Sequence, residues 1–95
     1  MLGEALRLIR VFHDQKLTEL AEKMDLSVSY ISEIEKGHKT PTMSVLKKYA
    51  EVFETKVSVL HFFAEDIEKD NKSRKKAGIR SRLIRFMQII ENATA

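Results

Sequence analysis

Four side chains able to make hydrogen bonds or close apolar contacts fall together in one short segment: Val28, Ser29, Ser32 and Glu33. If residues 28–36 form a helix with Ile31 and Ile34 turned inward, these four point outward. The front of such a helix carries unpaired amides and the positive half of the helix dipole, a setting suited to phosphate groups. The chemistry on offer is noncovalent recognition.

Covalent chemistry has no comparable foothold. Cysteine is absent, which removes disulfides, a thiolate nucleophile and every cysteine-based zinc site. No glycine-rich phosphate loop and no HExxH pair is present. Serine, histidine and aspartate occur, but nothing places a base beside a nucleophile. His13 and His61 have no acidic or histidine partner at metal-ligand spacing, so they read as surface or boundary residues. The expectation is a non-enzyme with no metal and no cofactor.

The elements that must hold the outward patch are helical. The chain has three glycines, one proline and no Val/Ile/Thr run with strand alternation. Leu2, Ala5, Leu6, Ile9 and Phe12 recur at steps of three and four and form one apolar face, with Glu4, Arg7 and Asp14 off it. Leu17, Leu20, Ala21 and Met24 repeat the pattern in a shorter second segment, opposite Glu19, Glu22 and Lys23. Ser27 is a good N-cap for the third helix, and Gly37 ends it where a left-handed residue is cheapest. Residues 38–41 form a loop. Thr42 caps a fourth helix with Met43, Leu46, Tyr49, Ala50 and Phe53 inward. A fifth, short helix starts near Val57 and carries Leu60, Phe62, Phe63 and Ala64.

Two short helices joined by about three residues, the second ended by glycine, have the layout of a helix-turn-helix. Ala21 is small where the pair approaches closely. The segment from Leu17 to Phe53 resembles the Cro/repressor-type helix-turn-helix family, also called the Xre family. The matching residues are Leu20-Ala21, Leu26-Ser27, Ile31-Ser32, Ile34-Glu35-Lys36-Gly37, Pro41 and, further on, Leu46 with Ala50. The likeness extends over residues 2–65, with five helices in the family's order.

The resemblance implies a sequence-specific, usually dimeric regulator of transcription that binds double-stranded DNA. Its recognition helix would be residues 28–36, reading bases in the major groove through Val28, Ser29, Ser32 and Glu33. Val28 would meet a thymine methyl, and Glu33 would accept from cytosine N4. Ser27, Tyr30, His38, Lys39 and Thr40 match positions that hold phosphate. The family's Ser/Thr-Gln at the start of the second helix is Lys16-Leu17 here, so Lys16 or Gln15 takes over that phosphate. The family's turn glycine is Asp25. Arg10 and Glu35 match a partly buried ion pair that clamps the first helix to the third.

Beyond Asp66 the composition shifts. Residues 68–76 are polar and charged and read as a linker. Ile79, Leu83, Phe86, Met87 and Ile90 then form an amphipathic stripe. The expected architecture is all-α: a five-helix repressor-like body, residues 1–66, with a basic linker and an additional C-terminal helix, residues 67–95. Two adjacent aromatics cannot both face one core, so Leu60, Phe62 and Phe63 join the C-terminal stripe as dimer-contact candidates. The alternative is an antitoxin or other interaction module whose residues 67–95 bind a partner protein.

The whole chain has 95 residues and a net charge of +3, with a sequence pI near 9.3. The charge is unevenly placed. Residues 1–66 hold nine Lys/Arg against eleven Asp/Glu, which is −2; residues 67–95 hold eight against three, which is +5. The body that resembles a DNA reader is thus mildly acidic. No apolar run approaches the roughly 20 residues that span a bilayer, and no signal-peptide core is present. A reducing cytoplasm is the expected location.

Overall fold

The computed structural model describes residues 2–72 together with residues 84, 87 and 88. Five helices follow one another: α1 Leu2–Phe12, α2 Leu17–Met24, α3 Val28–Glu35, α4 Met43–Val52 and α5 Val57–Lys72. Among the described residues there is no strand. α1 packs on α3 and α5, α2 on α3 and α4, and α4 on α5.

The first four helices all close with the same backbone device. After each, an amide reaches back five residues and the preceding amide reaches back three, the bond pair of a Schellman motif. The pairs are Gln15 to Arg10 and Asp14 to Val11, Leu26 to Ala21 and Asp25 to Glu22, His38 to Glu33 and Gly37 to Ile34, and Thr55 to Ala50 and Glu54 to Glu51. Each motif needs one left-handed residue. These are Asp14, Asp25 and Glu54 with φ of 54°, 54° and 52°, and Gly37 with φ of 82°. Glycine fills only one of the four, which is why only the end of α3 was plain from residue type. At the other ends, the Ser27 hydroxyl accepts from the Tyr30 amide at 3.1 Å and the Thr42 hydroxyl from the Val45 amide at 3.2 Å.

The core runs through all five helices. Its fully enclosed members include Leu6, Leu8 and Ile9 of α1, Leu20 of α2, Ile31 and Ile34 of α3, Tyr49 of α4, and Leu60, Phe63 and Ile67 of α5. Four expectations need correction. Met43, expected inward, is 55% exposed, and Val45 takes its place in the core. Met43 is the first residue of the helix, where its side chain stands at the edge of the body. Leu60 and Phe63, expected as dimer contacts, have no exposed surface at all because they bind α5 to its own domain. The expected third helix stops at Glu35, and Lys36 caps it. Finally, α5 does not end before a linker. It continues to Lys72, because Ile67 follows Leu60, Phe63 and Ala64 at helical spacing and is buried with them. A division at Asp66 therefore falls inside a helix. Of the stripe expected in residues 79–90, Ile79, Leu83, Phe86 and Ile90 lie outside the described residues.

Gly3 shows how closely α1 meets the end of α3. A Cβ built there would sit 2.2 Å from the Ile34 carbonyl oxygen and 3.1 Å from that of Glu35. Both obstacles are backbone and cannot rotate away. Gly3→Ala is expected to destabilise the domain by about 1–3 kcal/mol through forced separation of the helices, although alanine is the better helix former. Urea denaturation of the two proteins checks this, and equal midpoints would contradict it.

Candidate nucleic-acid interface

α2 and α3 form the bihelical unit expected from the spacing. The chain turns between them at Asp25, whose left-handed φ and ψ of 54° and 46° reverse its direction. Asp adopts that region more readily than most residues, so it replaces glycine at modest strain. Leu26 tucks against the core, and Ser27 starts α3. α2 is held at both ends. The Glu19 carboxylate accepts from the Lys16 amide at 3.2 Å. From α4, the Lys48 ammonium donates to the Met24 carbonyl at 3.0 Å. Such a cation at a helix C-terminus meets both an orphan carbonyl and the negative dipole end. Nothing in the local pattern pointed to Lys48, because the bond joins residues 24 apart.

The outward face of α3 begins with Val28 and Ser29, both exposed, and continues with Ser32 and Glu33, half-buried. Val28 keeps 40% of its surface open, a large share for an apolar side chain. Lys16, Ser27, His38, Lys39 and Thr40 are exposed, and Tyr30 is half-buried. The Lys39 ammonium stands 5.5 Å from the centre of the Tyr30 ring, within cation–π range. These two expected phosphate residues are therefore neighbours. Gln15 differs: its Oε1 is buried with no hydrogen-bond partner among the described residues. Lys16 is the exposed member of that pair. Leu17, where the family has Gln, packs against the core.

Beneath this face lies the ion pair. Arg10 Nε donates to both oxygens of Glu35 at 3.1 and 2.9 Å, and Nη2 donates to Oε1 at 2.9 Å. Nη1 donates to the Gln15 carbonyl at 2.9 Å. The Tyr49 hydroxyl donates to Glu35 Oε2 at 3.4 Å. Burial raises the Tyr49 hydroxyl well above the usual phenol range. The Glu35 charge and the hydrogen bond to it add to the effect, and Arg10 opposes it. Tyr49 thus stays a neutral donor. One guanidinium and one carboxylate tie α1, the entry to α2, α3 and α4 together, and so set the pose of α3.

Around the loop after α3, a pocket of about 250 Å³ is lined by Leu2, Gly3, Lys39, Thr40, Pro41 and Glu68 among others. The later turns of α5 therefore stand beside the loop that carries Lys39 and Thr40. His13 lies elsewhere. Its Nδ1 is 2.9 Å from the Ile9 carbonyl, and its ring rests 4.7 Å from that of Phe53, a boundary residue as the spacing implied. His61 is exposed.

α2 and α3 thus form a bihelical unit with short residues on its outward face, clamped from below. The helix-turn-helix family model matches residues 6–60. The chain belongs to the Cro/repressor-type helix-turn-helix family. No curated protein and no solved structure matches it. Membership makes it a DNA-binding regulator of transcription in a family that is not enzymatic. The matched span starts in the middle of α1 and ends at Leu60 in α5, so it contains the Arg10–Glu35 clamp and the whole of α3. Among the described residues, no helix of this helix-turn-helix protein is long and apolar enough to cross a membrane.

Proposed function

We propose that the protein is a sequence-specific repressor that acts in the cytoplasm as a homodimer on a pseudo-palindromic operator. The observation that carries this reading is the α3 face, where exposed Val28 and Ser29 open a helix capped by Ser27 and fixed from beneath by Arg10 and Glu35. Val28, Ser29, Ser32 and Glu33 read base edges in the major groove. Lys16, Ser27, Tyr30, Lys39 and Thr40 hold the flanking phosphates. Ser27 spends its oxygen lone pair on the Tyr30 amide and keeps its hydroxyl proton for a phosphate oxygen. Two recognition helices about 34 Å apart occupy successive turns of one face of the duplex. A dimer seated there blocks a promoter sterically.

The second copy docks on the face that carries Phe62, which is 59% exposed on α5 while its neighbour Phe63 is enclosed. The later part of the chain extends that contact, and among the described residues Met87, with 42% of its surface open, belongs to it. Deletions that test this extension should start after Lys72, where α5 ends, so that Ile67 and the helix that carries it stay intact.

Selection of bound duplexes from a random pool tests the proposal as a whole. The expected result is an enriched inverted repeat, and absence of any enriched sequence contradicts it. Finer roles separate by the kind of loss. Ser29→Ala and Ser32→Ala should each relax preference by about 1–3 kcal/mol at the base contacted, leaving binding to random DNA nearly intact. Lys39→Ala should weaken every duplex alike and lower the slope of log K against log salt by about one. Titrations at several salt concentrations decide this, and an unchanged slope removes Lys39 from the phosphate contacts.

A further inference from the structure

We infer that His38 positions Glu33 for base recognition, holding one carboxylate oxygen so that the other meets the amino group of a cytosine. This rests on the base-reading role proposed above for α3. His38 Nδ1 lies 2.8 Å from Glu33 Oε2, and the two side chains keep 63% and 36% of their surface open. The juxtaposition is made by the backbone. The His38 amide donates to the Glu33 carbonyl at 2.9 Å, the Gly37 amide donates to Ile34, and the Lys39 amide shares the Glu33 carbonyl at 3.3 Å. In a Schellman turn the residue after the left-handed position stands beside the residue five earlier, usually in an apolar contact. Here that contact is an imidazole against a carboxylate.

Two consequences follow for Glu33. Its side chain, otherwise free at several torsions, is ordered before DNA arrives, which lowers the entropy lost on binding. The imidazole satisfies Oε2 by donating from Nδ1, and among the described residues no donor engages Oε1. An acceptor-only oxygen suits the cytosine amino group and no major-groove acceptor. Nδ1 is then committed to Glu33, so His38 is a positioning residue rather than a simple phosphate contact.

The test compares full-length wild type, His38→Ala, His38→Asn and Glu33→Ala by selection from the random pool and titration of the enriched duplex. Far-ultraviolet circular dichroism shows each is folded. Wild type should enrich cytosine at one position in each half-site. Glu33→Ala and His38→Ala should both reduce that preference about tenfold. His38→Asn, whose amide can donate from nearly the place of Nδ1, should keep it within about twofold. Preference at positions read by Ser29 should not change. Loss of affinity for all duplexes alike in His38→Ala, with cytosine preference kept, overturns the inference and makes His38 a phosphate contact. Failure of His38→Asn to restore the preference overturns it as well. An enriched site with no cytosine lost in Glu33→Ala overturns this inference alone. No enrichment by wild type overturns it together with the base-reading role.

Discussion

Arg10→Met is expected to destabilise the domain by about 3–5 kcal/mol, the usual result of leaving one member of a buried pair alone. The reason is asymmetry. The Glu35 side chain is only 4% exposed and that of Arg10 13%. Without the guanidinium, Glu35 keeps a single donor, the Tyr49 hydroxyl at 3.4 Å, against three bonds lost. Glu35→Leu removes the charge that is hardest to bury and leaves Arg10 its bond to the Gln15 carbonyl. It should therefore cost less than Arg10→Met. The double variant, Arg10→Met with Glu35→Leu, should recover most of the loss, because apolar pairs of similar volume often replace buried ion pairs without penalty. A double-mutant cycle from urea denaturation measures all three. At about 4–8 °C per kcal/mol for a domain of this size, Arg10→Met should melt some tens of degrees lower. A loss under about 1 kcal/mol would place the pair among weak surface bridges instead. Arg10→Lys should rescue little, since an ammonium cannot make the forked contact with both Glu35 oxygens and also reach Gln15.

The second large effect separates two adjacent aromatics. Phe63→Ala should destabilise the fold by about 3–5 kcal/mol, through lost burial and the cavity left behind. Phe62→Ala should change stability by no more than about 0.5 kcal/mol under conditions where the chain is monomeric. The contrast follows from exposure, none for Phe63 and 59% for Phe62. If Phe62 is the contact for a second copy, its alanine variant should shift the sedimentation equilibrium toward monomer at unchanged monomer stability. Equal stability losses at the two positions would mean that α5 does not sit as described.

Helix location was legible because apolar spacing is a local signal. Leu6, Ile9, Leu20, Ile31, Ile34 and Leu46 sit in the core where periodicity put them, and Ser27 and Thr42 cap the helices they precede. The misses have a common cause. Met43 and Val45, or Phe62 and Phe63, are equally apolar, and which one faces in depends on the crossing of α4 and α5 with other helices. Polarity after Asp66 read as a linker because one buried residue per turn is enough to hold a helix, and Ile67 supplies it after Ala64. Asp14 and Glu54 gave no sign of left-handed turns, since Asp is found in other conformations as well and Glu enters that region less readily than Gly, Asn or Asp.

By itself the sequence determined the class of the protein: five amphipathic helices, a bihelical unit, the short residues on its face and the partners of the clamp. The helices, the unit and the residues on its face depend on residue type at fixed spacing along one chain; the clamp partners are what the resemblance to the family implies. The tertiary structure decided what spacing cannot reach. It brought Lys48 to the end of α2, set Tyr49 behind Glu35 and enclosed Leu60 and Phe63 while leaving Phe62 open. It also set His38 against Glu33, so that the one acid on the reading face has a partner. The His38 contact comes from the local turn that ends α3; the others arise from helix crossings, which join residues that no local pattern relates.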